Sequence, residues 1–270
     1  MSAPLPPSPA RLVARWLLAA VAVWVPVSIL VMATVRNLWP VLGDGDASLV
    51  GLFGGALVLV LALVLGAGRL RPADVGLRGR DLVPGLAVMV LAWGLLQLLL
   101  LPILATGAPW VGVSASALAG IGVQWLGPAL FEEVVFRGFY FAQFAHRPSR
   151  RFAPGTRGHF LAAALGSGLL FSLAHLPGLV FGDASAGAAL AMLGLTAVAG
   201  LYGAWLYART QNLFVVVGLH ALHNAPVTLV EVPEPVAMGL TMAVGLGVAW
   251  AWPRLRRVGD GRTAVAPGLS

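Results

Sequence analysis

Residues 131–140 read FEEVVFRGFY, and the reading of this stretch governs that of the whole chain. Glu132, Glu133 and Arg137 fall within six positions of a run otherwise made of Phe, Val, Gly and Tyr, in a 270-residue protein of which only 10% is Asp, Glu, Lys or Arg. The surroundings are more apolar still, with 59% hydrophobic residues and a mean hydropathy of +0.89. That composition lies far outside the range of soluble domains and identifies a membrane protein. A charge at the centre of a spanning helix costs about 2.5–3.5 kcal/mol on insertion scales, so ionisable residues here are functional candidates by default.

Several apolar runs approach the roughly 20 residues a helix needs to cross the hydrocarbon core, and none shows the period-2 alternation of a barrel strand. The expected fold is all-α, a polytopic membrane helix bundle of about eight transmembrane helices at 16–35, 49–67, 82–104, 117–145, 159–175, 185–208, 213–230 and 236–252. The first run follows a Pro-rich stub with Arg11 and Arg15 and reads as a signal anchor. Residues 1–270 are expected to form a single integral membrane domain, with a motif-bearing core at about 117–230 and short disordered tails at 1–10 and 258–270. With these spans, fifteen of the 17 arginines share one side, which predicts cytoplasmic termini and a multi-pass protein of the cell membrane. Small-residue pairs spaced four apart, Gly51 with Gly55, Thr196 with Gly200 and Gly200 with Ala204, are candidate helix contacts.

Every cationic side chain outside the histidines is Arg, and there is no Lys and no Cys. Schiff-base chemistry, a phosphate-loop lysine, thiol nucleophiles, thiolate metal sites and disulfides are thereby excluded. The net charge of +7 sits in short loops between apolar runs, which fits an anionic bilayer surface and not nucleic acid.

The polar residues within the spans carry the chemistry. Glu133 and Arg137 are four apart in the favourable acid-before-base order, so an internal ion pair is expected. Glu132 lies about 100° further round the helix and is left as an unpaired carboxylate, suited to a general base. The run Phe171-Ser172-Leu173-Ala174-His175 precedes Leu176-Pro177-Gly178, a helix-stop signal, and offers His175 as a base or ligand. In His220-Ala221-Leu222-His223-Asn224, His220 and Asn224 share a helix face, with His223 displaced from it. A carboxylate, imidazoles and an amide are the parts for activating a water and stabilising an oxyanion, which indicates hydrolysis of a carbonyl compound. No HExxH or GxSxG is present, so Ser167 in Gly166-Ser167-Gly168 is read as a packing residue. Gly43-Asp44-Gly45-Asp46 matches GxGD but falls between spans and reads as a turn. The alternative is a non-catalytic polytopic protein, a transporter or bacteriocin-immunity-type scaffold, whose buried Glu, Arg and His form a relay.

In three motifs the chain resembles the CPBP family of intramembrane proteases, the CAAX protease and bacteriocin-processing group that includes type 2 CAAX prenyl endopeptidases. They are E-E-x-x-x-R at Glu132, Glu133 and Arg137, F-x-x-x-H at Phe171 and His175, and H-x-x-x-N at His220 and Asn224. The segments VGLRGRDL at 75–82 and YARTQNLF at 207–214 are also similar. The resemblance implies an endopeptidase in which Glu132 and His175 activate water, His220 and Asn224 stabilise the oxyanion, and Glu133, Arg137 and Phe171 support them. His223 departs from the pattern and is a further supporting candidate. Family members are often labelled metalloproteases; Glu132, His175 and His220 have the make-up of an open three-ligand zinc site, and the residues leave zinc-dependent and metal-free mechanisms both open. The implied partners are the lipid bilayer and a peptide or protein substrate, either lipidated or bearing a C-terminal recognition motif, with no nucleic acid; the sequence does not specify an oligomeric state.

Overall fold

A computed structural model describes residues 46–145, 156–176, 179 and 185–260. Among them the secondary structure is helical, and the one β-type pairing is an isolated antiparallel bridge between Trp110 and Val230. The helices Pro72–Leu104, Ala186–Thr210 and Glu234–Pro253 are long and apolar enough to cross a membrane, and Phe53–Ala67 and Leu213–Asn224 are shorter apolar helices. The expected span at 16–35, the tail at 1–10 and most of the GxGD turn lie outside the described residues. At the other end, the last helix runs to Asp260, into the segment expected as a tail.

The described residues form two compact units, one containing Gly55–Val75 and Val134–Ala204, the other Leu49–Gly54, Gly76–Glu133 and the chain from Trp205 onward. In chain order the main helices are α1 (Asp46–Leu61), α2 (Gly79–Leu104), α3 (Ala115–Gln124), α4 (Leu130–Glu132), α5 (Ala142–Ala145), α6 (Arg157–Ala174), α7 (Ala186–Thr210), α8 (Leu213–Asn224) and α9 (Glu234–Asp260).

In the unit containing α2, α3, α8 and α9, the centre is α8, with nine of its 12 residues buried. A helix apolar on all sides must be covered on all sides, and α2, α3 and α9 pack round it. The α2–α8 crossing is tight enough that a Cβ on Gly85 would lie 2.5 Å from the Phe214 Cβ, and one on Gly218 would lie 2.8 Å from the Met89 Cβ. Asn212 starts α8: its Oδ1 accepts from the backbone N–H of Phe214 and Val215, while its Nδ2 donates to the Asp81 carbonyl in the first turn of α2. Through Asn212 and Asp81, the similar segments 75–82 and 207–214 meet as one joint.

The run expected to span at 213–230 stops being helical at Asn224. Twelve residues give roughly 18 Å of helix, short of a bilayer's hydrocarbon core. The chain continues extended, where its backbone polar groups need partners that lipid cannot provide. Gln97 and Trp93 on α2 provide them: Gln97 Nε2 and Trp93 Nε1 both donate to the Val227 carbonyl at 2.9 Å, and Gln97 Oε1 accepts from the Leu229 N–H at 2.9 Å. On the other side, the Val111 N–H donates to the Leu229 carbonyl and the Glu231 N–H to the Pro109 carbonyl.

In the unit containing α5, α6 and α7, the backbones of α6 and α7 approach at Gly168 and Gly200, where a Cβ on Gly200 would lie 2.7 Å from the Gly168 Cα. The close contact expected at Gly200 is found there. At Gly55, by contrast, none of the described residues lies within 4 Å of where its Cβ would be. Thr156 caps α6 through the His159 N–H, and the His159 Nε2 donates to the Ala145 carbonyl at 2.7 Å. Ser167, fully buried, donates to the Phe136 carbonyl at 2.6 Å, which is the packing role read for it.

Candidate active site

The stretch FEEVVFRGFY is not carried by one uninterrupted α-helix. After α3 the chain passes through a π-helix at Trp125–Ala129, three residues of α4, and a second π-helix at Glu133–Phe141. Pro128 has no N–H to donate back along the helix, and Gly127 takes φ −102° and ψ −107°, outside helical values. Both features follow from Gly127-Pro128, shortly ahead of the adjacent carboxylates. Single π-turns of this kind recur at functional sites because they re-aim side chains within a helix.

Glu132, the last residue of α4, and Glu133, the first of the π-helix, both address His220 on α8. Glu133 Oε1 lies 2.7 Å from His220 Nδ1, and its side chain is 1% exposed. Glu132 Oε2 lies 3.6 Å from His220 Nε2, with both side chains about one-seventh exposed. Glu132, expected to stand alone, therefore faces one nitrogen of an imidazole, which corrects that expectation. Glu133 serves the other nitrogen of the same ring through Oε1. The physical reason is that the partner comes from another helix: His220 on α8 lies between the two carboxylates and presents one ring nitrogen to each. Because a carboxylate only accepts, Nδ1 carries the proton shared with Glu133, and the ring presents Nε2 toward Glu132.

One turn further along α8, Asn224 donates from Nδ2 to Gln124 Oε1 at 3.1 Å. Gln124 closes α3, just before the kink. It lies outside the three motifs, yet its signal is present in the sequence: a carboxamide within the apolar run ALAGIGVQWLGPALF. His223 is half-buried, and its Nδ1 is buried with no hydrogen-bond partner among the described residues. It is a second imidazole on α8 without a role fixed by hydrogen bonding at that nitrogen.

In the other unit, Arg137, Phe171 and His175 form a second cluster. The Arg137 guanidinium stands 4.4 Å from the centroid of the Phe171 ring and donates to the Ala199 carbonyl at 3.4 Å. It rests against Gly203, whose Cβ, if present, would lie 2.5 Å from Nη2. The Phe171 ring is 4.7 Å from the His175 ring, and His175 Nδ1 donates to the Phe171 carbonyl at 2.8 Å. As the C-cap of α6, His175 is held at the helix end that the Pro-Gly signal indicated. The four-residue spacing of Phe171 and His175 thus produces a ring pair closed by a backbone bond.

Zinc requires at least three protein ligands converging at about 2.0–2.2 Å for nitrogen and oxygen donors. Among the described residues, no group of three His, Asp or Glu side chains is arranged to hold a metal ion. The Nδ1 of His220 is already engaged by Glu133. Of the three candidate ligands, Glu132 and His220 belong to one compact unit and His175 to the other.

The Glu132–Glu133–His220 cluster lies in a segment, residues 114–226, that matches the family model described as Type II CAAX prenyl endopeptidase Rce1-like. That segment is similar to the Rce1-like family. No curated protein and no solved structure matches the chain. The Rce1-like family is one of proteases, and the matched segment contains all three motifs. Three helices among the described residues are able to cross a bilayer, so the chain is a membrane protein, and its segment 114–226 is similar to a peptidase family.

Proposed function

We propose that the protein is an intramembrane endopeptidase of the CAAX type, embedded in the cell membrane as a multi-pass bundle of about eight spans with cytoplasmic termini. Its substrate is a peptide or protein, lipidated or marked at its C-terminus. The observation that carries the reading is the convergence of Glu132 and Glu133 on His220 within the Rce1-like segment. A packing role accounts for one buried ion pair; it does not account for two carboxylates directed at the two nitrogens of one imidazole.

In this reading Glu132 is the general base. It takes a proton from water as the water oxygen attacks the scissile carbonyl carbon, then returns it to the leaving amine as the C–N bond breaks. Motif correspondence gives His175 the accompanying role in water activation, for which an imidazole held at a helix end is chemically suited. His220, oriented by Glu133 at Nδ1 and donating from Nε2 in its imidazolium form, and Asn224 stabilise the negative charge that develops on the carbonyl oxygen. No step of this mechanism is assigned to a metal. A relay without catalysis would need the same buried charges, but it gives no reason for the amide one turn along at Asn224.

The test is cleavage of a peptide panel, prenylated and unprenylated, by the protein reconstituted in lipid. Glu132→Gln is expected to lower kcat by about 100- to 10,000-fold, the usual worth of a general base, and His175→Ala to fall in the same range. Undiminished cleavage by both variants would refute the mechanism. Absence of cleavage by the wild type across the panel would favour the scaffold.

A further inference from the structure

We propose that Gln124 is a positioning residue for Asn224, its side-chain carbonyl holding the Asn224 amide so that one N–H points at the developing oxyanion. The inference rests on the endopeptidase reading above and adds to it a residue outside the three motifs. A carboxamide is nearly symmetric in shape and opposite in chemistry at its two ends. Turned one way, Asn224 offers N–H to a negative oxygen; turned the other, it offers Oδ1 and repels it. Asn224 is exposed and is the last residue of α8, where packing alone does little to choose between the two.

The Gln124 contact makes the choice. An NH2 group has two hydrogens in one plane, so giving one to Gln124 Oε1 at 3.1 Å fixes both the plane and the direction of the other. Gln124 is well placed to act as the anchor. It is half-buried at the end of α3, and the next residue, Trp125, stacks on Phe214 of α8 with ring centroids 6.1 Å apart. The same compact unit contains Glu132, Glu133 and His220. A fixed donor aimed where charge develops stabilises the transition state without reorganisation, so the benefit is expected in kcat more than in KM.

The experiment compares Gln124→Met, which keeps shape but loses the acceptor, with Gln124→Glu, which keeps an acceptor and cannot donate when ionised, in the full chain in lipid nanodiscs. Gln124→Met is expected to lower kcat about 10- to 100-fold, part of the loss from removing an oxyanion donor outright, with KM within about twofold. Gln124→Glu is expected to retain at least about tenfold more kcat than Gln124→Met, and Gln124→Met is expected to add no further loss in an Asn224→Ala background. A Gln124→Met kcat within twofold of wild type, equal losses in the two Gln124 variants, or independent multiplication with Asn224→Ala would each overturn the proposal. Thermal unfolding of the wild type, Gln124→Met, Asn224→Ala and the double variant separates this from failure of the endopeptidase reading. If the wild type cleaves nothing, that reading falls on its own, and additive Tm shifts for the two sites would overturn the contact while non-additive shifts would sustain it.

Discussion

Replacing Glu133 by Gln isolates what the carboxylate does for His220. The side chains are nearly equal in size, so the buried site stays filled, but the charge is lost and the new amide can donate as well as accept. In the native site, Glu133 Oε1 takes the Nδ1 hydrogen of His220 at 2.7 Å in a position only 1% exposed. A hydrogen bond to a charged partner contributes about 1.5–3 kcal/mol net. With each factor of ten in rate equal to about 1.4 kcal/mol, losing that contribution in the transition state predicts a fall in kcat/KM of about 10- to 150-fold. The amide also relaxes the choice of tautomer: turned to donate to Nδ1, it moves the ring proton to Nε2, the nitrogen that faces Glu132. The assay is kcat/KM on the cleaved peptide, combined with nitrogen NMR of the His220 ring in labelled protein to read which nitrogen is protonated. A Glu133→Gln protein with kcat/KM within threefold of wild type and an unchanged His220 tautomer would refute the orienting role.

Two further outcomes follow from the same geometry. Gly203→Ala places a methyl group within 2.8 Å of three guanidinium atoms of Arg137, a side chain only 2% exposed; the overpacking is expected to destabilise the protein by about 1–3 kcal/mol and to disturb the Phe171–His175 ring pair, read as a lowered Tm together with a lowered kcat. Exhaustive dialysis against a strong chelator, followed by elemental analysis, is expected to leave kcat/KM within about twofold, since the proposed mechanism assigns no step to a metal; loss of activity restored by zinc and by no other addition would overturn that expectation.

The helical class was legible because it depends on local signals. Hydropathy marks the spans, and ionisable groups within them stand out against an apolar background. The end of α6 at His175 followed from Leu176-Pro177-Gly178, and the small-residue spacing at Gly200 indicated a real crossing with Gly168. The extended course after Asn224 was not legible, because the apolar run through 230 has the composition of a helix. What makes the extended segment tenable is remote: Gln97 and Trp93, on a helix far earlier in the chain, accept and donate the hydrogen bonds that a helix would have made internally. Gln97 was visible as a polar residue in GLLQLLLL, but its partners were not.

The isolation of Glu132 failed for a related reason. Setting Glu132 apart weighed only the partner within FEEVVFRGFY, Arg137, whereas the imidazole it faces is on α8. Pitch is a property of backbone hydrogen bonding, and that bonding changes twice here, first at Gly127-Pro128 and again at Glu133. The first change was readable, because a proline inside an apolar run frees a carbonyl wherever it falls. The second depends on side chains brought from other elements, as when Ser167 donates to the Phe136 carbonyl within the π-helix. The two adjacent carboxylates face the same imidazole because His220 arrives on α8, far later in the chain, where no local spacing reveals it. The same physics gives Gln124 its importance: the residue that ends the regular helix before a kink is fixed on one side and freed on the other, which is where a side chain can be held to orient a neighbour on α8.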